Sequence, residues 1–278
     1  MKRLFTLIYT FLFTLTAGQL YAGSLVQYNL TENQYLSAFD SLRSKGYSPT
    51  DIDVVKVGTS NRFAIIWVQG TPVNWQFRHD MTEAEYDQTN KTLRSQGYFI
   101  QNLVPYYNEQ NQLRFTAIWD EWNKLGFAKY NLTEEDYVNE LDSLHEKGIY
   151  PFRVTVYEHQ GTYKYAVVFG EIGKVVNGYR NWLEPEECRE TLASMIENGY
   201  YIMDLAAYTK KAKTYYSGFW VKLSMSTKTF PKLSLQELQQ TIETFDPDKD
   251  SPGIITGFSE NGILYYSITY NLAWDPLK

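Results

Sequence analysis

The residues that most often carry chemistry are few in this sequence, and their spacing suits neither a metal site nor a nucleophile. Three histidines, His79, His145 and His159, fall before a helix, late in a helix and in a hairpin turn, so no pair has metal-ligand spacing on one element. The single cysteine, Cys188, lies on the apolar side of a predicted helix, where a thiol acts as a small hydrophobe. We therefore expect no catalytic residue, no metal and no cofactor.

An acidic run near the C-terminus has the alternation of a calcium-binding loop. Asp246, Asp248 and Asp250 are spaced by two, but Ser251 replaces the glycine of the sixth position and Gly257 replaces the acidic residue of the twelfth. The pattern therefore predicts a solvated turn.

Aromatic and basic residues supply a different candidate, a surface for ligand recognition. The second strand of each predicted hairpin ends in an aromatic residue, and Trp67, Trp119 and Trp220 are three of these, with Arg62 and Arg114 on the same strands. Exposed indoles would stack on a sugar or peptide, and the arginines would add polar selectivity. The alternative is a second core layer, which we favour because large apolar patches are rare on monomers.

A repeat of 51 residues positions all of these residues. It is marked by the glycine after each predicted helix, at Gly46, Gly97, Gly148 and Gly199, and a weaker fifth copy covers about residues 230–270. Self-similarity of this length is typical of stacked units that cannot bury their apolar faces alone. We place the units at about 26–75, 76–126, 127–177, 178–228 and 229–278.

Each unit is predicted to contain a short strand, a helix and a hairpin, which makes an α+β fold of tandem (β)αββ repeats. The helix starts carry capping-box sequences such as Thr31 to Gln34, and the helices end near a glycine that favours a left-handed cap. Runs of β-branched and aromatic residues around turns, such as 52–57 and 63–67, predict the hairpin.

A small residue stands three places before each terminal aromatic, and we expect it to admit another element, the helix of its own unit. These residues are Ala64, Thr116, Ala166, Ser217 and Ser267. The five units can form an open curved array or a closed five-fold ring. We slightly favour an open or half-closed arrangement, because the terminal copies of an open array are usually atypical, as the fifth copy is here.

Residues 1–22 have the layout of a secretory signal peptide, with a basic pair, an apolar run and a small residue at Ala22. A retained membrane anchor is the alternative, although the apolar run is short for a span.

Cleavage would change the net charge from −6 to −8, because two of the 26 basic residues are removed while 32 acidic residues remain. So acidic a chain is a poor candidate for binding nucleic acid or anionic membranes. From the signal peptide we predict a secreted or periplasmic protein, with no membrane contact beyond the cleaved signal. The five units would then fill the mature chain, and we expect no separate catalytic domain in it.

The elements Gly46-Tyr47 and Gly97-Tyr98, followed by the strands 62–67 and 114–119 (Arg-Phe-Ala-Ile-Ile-Trp and Arg-Phe-Thr-Ala-Ile-Trp), resemble a bacterial tandem repeat of about fifty residues. That family is known from the non-catalytic N-terminal half of polyglycine hydrolases. The resemblance is strongest over residues 28–125 and implies the repeat scaffold with a recognition role. The catalytic domain of those hydrolases uses Ser-x-x-Lys, and no serine here is followed three residues later by lysine, so their activity is not implied.

These observations favour a secreted, non-enzymatic repeat scaffold that binds a peptide, protein or glycan through an aromatic surface. Two alternatives stay open: a secreted hydrolase with an unrecognised active site, and a structural component of the cell envelope.

Overall fold

The structure, a computed structural model of the chain, describes residues 19–21, 23–70, 74–121, 126–171, 173, 175–222, 226–246 and 250–272. The described chain consists of five units with the same order of elements, strand, helix, strand, strand. The first has an additional short strand, β1 (Gln19–Tyr21), which pairs with β2. The predicted α+β repeat of five (β)αββ units is confirmed.

The elements recur at the same places in every unit. The first unit has β2 (Ser24–Leu30), α1 (Glu32–Arg43), β3 (Tyr47–Val57) and β4 (Ser60–Gln69). The second and third have β5 (Trp75–Met81), α2 (Glu83–Ser95), β6 (Phe99–Tyr107), β7 (Leu113–Asp120), then β8 (Phe127–Leu132), α3 (Glu134–His145), β9 (Ile149–His159), β10 (Thr162–Glu171). The fourth and fifth have β11 (Asn177–Leu183), α4 (Pro185–Glu197), β12 (Tyr200–Lys210), β13 (Lys213–Lys222), then β14 (Ser226–Leu233), α5 (Leu235–Thr244), β15 (Asp250–Glu260), β16 (Ile263–Leu272).

The helix boundaries follow from local chemistry. Thr31 accepts the backbone N–H of Gln34, whose side chain accepts the N–H of Thr31 in return, so two unpaired donors of the first turn are satisfied. The other helices start in the same way, the fourth with Glu187 accepting the N–H of Glu184. The four glycines that mark the repeat all have positive φ angles, between 70° and 89°, which explains why glycine ends these helices.

Each unit forms its own antiparallel sheet, in which the last strand of the unit lies between the other two. The strand after the helix is the inner strand of each sheet: β3, β6, β9, β12 and β15 contact one another in this cyclic order, and β15 also contacts β3. The contact between β15 and β3 joins the last unit to the first. The described units therefore form a closed ring of five separate sheets, and the open or half-closed arrangement that we slightly favoured is wrong.

Closure is what makes each helix fully packed. Helix α1 packs on Phe63, Ile65 and Trp67 of its own sheet and also on Val104 and Ile118 of the next sheet. The same arrangement repeats around the ring, and Leu238 and Ile242 of α5 pack in one cluster with Ala64 and Ile66 of the first unit. An open array would leave one side of α5 and one face of the first sheet in water, so the hydrophobic effect favours the ring.

The small side chain that recurs in every unit lies at this junction between units. The Tyr35 hydroxyl of α1 is 3.1 Å from Oγ1 of Thr116, so the small residue of the second unit receives the helix of the first. Ala64 clusters with α5 and Ala166 with α2 in the same way. Our expectation that the small residue admits the helix of its own unit is therefore wrong, because the neighbouring helix occupies that face. The helix of the same unit packs on the opposite, aromatic face.

The predicted signal peptide lies almost entirely outside the described residues, except for β1. None of the described helices is long and apolar enough to cross a membrane.

Ala64→Leu tests the junction between the first and last units. We expect a loss of about 1–3 kcal/mol in the free energy of unfolding, because a larger side chain cannot enter a close-packed face without displacing α5. Urea unfolding followed by tryptophan fluorescence measures the loss. The matched control is Ala193→Leu on the exposed side of α4; equal stability of the two variants would contradict this packing.

Candidate functional site

The three tryptophans predicted to form a binding surface are core residues. Trp67, Trp119 and Trp220 have no exposed surface. Trp67 packs edge to face on Phe39 of its own helix, and the indole N–H of Trp119 donates to Oδ1 of Asn90 at 3.0 Å. The exposed aromatic surface proposed from these residues is therefore wrong, because their faces are covered by the helices.

The two arginines of that prediction lie apart from the tryptophan side chains. Nε of Arg114 is 3.2 Å from Oδ1 of Asp80, and Nη1 of Arg62 donates to the carbonyl of Asn61 at 3.0 Å. Both arginines are half-buried near the hairpin turns. Their role in binding stays a prediction.

The ring axis carries a different set of residues, which the sequence reasoning missed. In the first four units, the inner-strand residue just after a β-bulge is polar: Asp51, Asn102, Arg153 and Asp204, which we call the axial ring. They recur every 51 residues, and the equivalent position of the fifth unit is Ile254. Asp51, Asn102 and Asp204 are almost fully buried.

Asp51 connects four of the five units. Its Oδ1 accepts from Nδ2 of Asn102 at 2.7 Å and from Nε of Arg153 at 2.8 Å, and its Oδ2 accepts the N–H of Ile255 at 2.7 Å. Nη2 of Arg153 also donates to the carbonyl of Gly253 at 3.1 Å. One carboxylate thus holds the second, third and fifth units against the first.

The other axial side chains satisfy the open edges of the inner strands. Asp204 accepts the N–H of Val154 at 2.7 Å, and Nδ2 of Asn102 donates to the carbonyl of Ile52 at 3.3 Å. Between β9 and β6, close to the axial ring, Oγ1 of Thr155 donates to the carbonyl of Leu103 at 3.2 Å. In each case a side chain bonds the backbone of the preceding unit, which replaces the missing neighbour strand.

A cavity of about 680 Å³ extends from the axial ring along all five inner strands towards the hairpin turns. We call it the axial pocket. Its inner end is lined by the axial ring and Asp53, its walls include Thr155, Ala206, Thr256, Tyr157 and Tyr208, and its outer end includes Lys56, Tyr107, Glu158, Tyr163, Thr209 and Ser259. Its volume is within the range of ordinary small-molecule sites.

The inner end of this pocket has an unsatisfied hydrogen-bond acceptor. Oδ1 of Asn102 is buried and has no hydrogen-bond partner, whereas Nδ2 of the same amide faces two acceptors, so the amide cannot be turned round without loss. A buried acceptor left unpaired costs about 1–3 kcal/mol. A ligand that donates a hydrogen bond would recover this free energy.

Two carboxyl groups of the pocket, those of Asp53 and Asp204, have raised pKa values. Burial raises the pKa of Asp53 to about 7, although the N–H of Gly257 donates to it at 2.6 Å. Burial also raises the pKa of Asp204 to about 8, with Arg153 opposing and Asp51 reinforcing the rise. Near neutral pH these two carboxyl groups are therefore partly protonated.

The other reactive candidates do not gather in this pocket. Cys188 is fully buried against Leu192 and Trp220, and burial raises the pKa of its thiol to about 12, which suits a core residue. His79 lies between the first two units, bonded to Glu32 at 2.7 Å. Among the described residues, no group of three or more His, Cys, Asp or Glu side chains could hold a metal ion.

A closed ring of repeated sheets and helices with a polar pocket on its axis defines a repeat-ring scaffold. A family model described as "Polyglycine hydrolase-like, structural repeat" matches residues 23–70, 72–122, 126–171 and 182–223, which is more than half of the chain. The chain therefore belongs to this family of structural repeats, as the sequence resemblance predicted. The model does not match the fifth unit, which nonetheless has the same elements and completes the ring.

A comparison with curated proteins finds no match to the chain.

Stability should fall as the pH rises from about 5 to about 9, because Asp53 and Asp204 bind protons more tightly in the folded chain than in the unfolded one. The stability that these two groups contribute is complete below their unfolded pKa of about 4. It is lost as the pH rises through their folded pKa values of about 7 and about 8. Exposed capping carboxylates, such as Glu85, have lowered pKa values and act only at lower pH. Urea unfolding measured across this pH range should show that the free energy of unfolding falls less with pH in Asp204→Asn than in the unmodified protein. An unchanged pH dependence in the variant, or stability that rises with pH, would contradict the prediction.

Proposed function

We propose that this chain is a secreted or periplasmic, non-enzymatic scaffold that binds a peptide, protein or glycan ligand in the axial pocket. The observation that carries the proposal is the pocket itself, which all five units line and which ends on buried polar side chains. A ring built only for rigidity would close-pack its axis, whereas this axis keeps a cavity of about 680 Å³.

The walls of the axial pocket suit a ligand with both polar and apolar surface. Tyrosine rings from three units alternate with the hydroxyl groups of Thr155 and Thr256. Concave sites of this composition bind small or extended ligands, with apolar contact supplying affinity and a few polar groups fixing orientation.

The second candidate function is hydrolysis, and one observation favours it. Asp53 and Asp204 share one pocket and have pKa values near neutrality, which general acid–base catalysis requires. Turnover of a bound peptide or glycan would therefore assign the pocket as an active site and overturn the non-enzymatic proposal.

Blocking the mouth of the pocket tests the binding proposal. Ligands found on glycan and peptide arrays should bind the unmodified protein and lose at least about tenfold in affinity, or 1.4 kcal/mol, with Ser259→Trp, because the added indole fills the outer end of the pocket. The same change on the exposed side of α4, Ser194→Trp, is the matched control and should bind normally.

Circular dichroism verifies that both variants fold. Equal affinity of the two folded variants for every array ligand would place binding elsewhere and contradict the proposal. So would the absence of any array ligand for the unmodified protein.

A further inference from the structure

We propose that the axial pocket recognises a protonated primary amine, which binds at its inner end between Asn102, Asp204 and Asp53. This inference deepens the proposed function and rests on it, because it names the ligand chemistry of the same pocket.

The first support is the type of unsatisfied group. Oδ1 of Asn102 is a buried acceptor without a partner, and Asn102 is only 2% exposed. The Asp204 carboxyl, which also lines the pocket, accepts the N–H of Val154 at Oδ2. Both groups accept hydrogen bonds, and an ammonium group offers three donors and no acceptor.

The second support is the balance of charge in the pocket lining. Four acidic residues, Asp51, Asp53, Glu158 and Asp204, face two basic ones, Lys56 and Arg153, an excess of two negative charges when all are ionised. Such an excess in a buried site is costly unless a cation joins it or protons neutralise it. An ammonium group would take the place of those protons.

Arg153, the half-buried cation of the pocket, is already committed to the fold. Arg153 donates from Nε to Asp51, from Nη1 to the carbonyl of Phe152 at 2.7 Å, and from Nη2 to the carbonyl of Gly253. Its charge is compensated by Asp51, and its donors are directed to the protein. Arg153 is therefore poorly placed to bind an anionic ligand, and the carboxyls of Asp53 and Asp204 remain for a cation.

The walls above these carboxyls also favour a cation. Tyr157, Tyr163 and Tyr208 line the pocket between its inner end and its mouth. The faces of aromatic rings attract ammonium groups, with a strength that grows as water is excluded. The remainder of an amine-bearing ligand would lie along these rings towards the hairpin turns.

Calorimetric titration of the unmodified protein with matched pairs tests the inference. The pairs are trialanine and N-acetyl-trialanine, glucosamine and N-acetylglucosamine, and putrescine and 1,4-butanediol. We expect the amine of at least one pair to bind about tenfold or more tightly than its neutral partner. The pair that shows this preference identifies the source as a peptide terminus, an amino sugar or a polyamine.

Two variants locate the amine. Asp204→Asn preserves shape and removes one charge, and Asn102→Leu removes the unpaired acceptor; each should weaken amine binding about tenfold or more. Glu190→Gln, on the exposed side of α4, makes the same charge change outside the pocket and should leave binding unchanged. Binding by the unmodified protein should release protons near neutral pH, seen as heats that depend on the buffer, and Asp204→Asn should release fewer.

The outcomes separate this inference from the proposed function. If neutral ligands bind as tightly as amines and Ser259→Trp prevents their binding, the amine inference is overturned and the proposal of a binding pocket stands. Amine binding that Asp204→Asn and Asn102→Leu leave unchanged would overturn the inference by placing the amine outside the pocket. Absence of heat for all three amines at millimolar concentrations would also overturn it.

Discussion

The carboxylate of Asp51 is the interaction on which this architecture depends most. It lies almost fully buried on the ring axis and accepts hydrogen bonds from Asn102, Arg153 and the backbone of Ile255, which belong to three other units. Burying this charge is tolerable only because the partners are charged or fixed by the strands. The ring positions the partners, and the partners hold the ring closed. Neither the fold nor the pocket can be understood from one unit alone.

Helix packing and the axial ring each cover a part of the sheet that a single unit leaves exposed: the helices cover its faces, and the axial side chains bond its inner edge. Away from the axis, every helix is buried between its own sheet and the next, and α5 returns to the first sheet. At the axis, each inner strand has an edge without a neighbouring strand, and Asp, Asn and Thr side chains bond those edges instead. The axis can therefore remain partly hollow, which leaves room for a ligand where a continuous barrel would have none.

The local structure could be predicted from the sequence because its causes are local. Capping residues such as Thr31 and glycines such as Gly46 predicted the helix ends, and the small residue three places before each terminal aromatic marked a sheet face that admits another element. The identity of the element covering that face is a long-range property. Periodicity does not distinguish the helix of the same unit from that of the neighbour, so both the small-residue junction and the closure were misjudged.

The axial ring could have been found by the same periodicity. Asp51, Asn102, Arg153 and Asp204 occupy one column of the repeat, and all four are polar or charged. The fifth unit, whose sequence is the least regular, needed the structure to show that it completes the ring.

Closure of the ring is the central claim, and a disulfide between the first and last units measures it most directly. Cβ of Val55 lies 3.3 Å from the position that a Cβ on residue 257 would take, close to the separation in a disulfide. In oxidised V55C/G257C, peptide mapping should find this crosslink within single chains, and the free energy of unfolding should rise by about 2–4 kcal/mol. Thiols that stay reduced, or crosslinks that form only between chains, would contradict a closed ring.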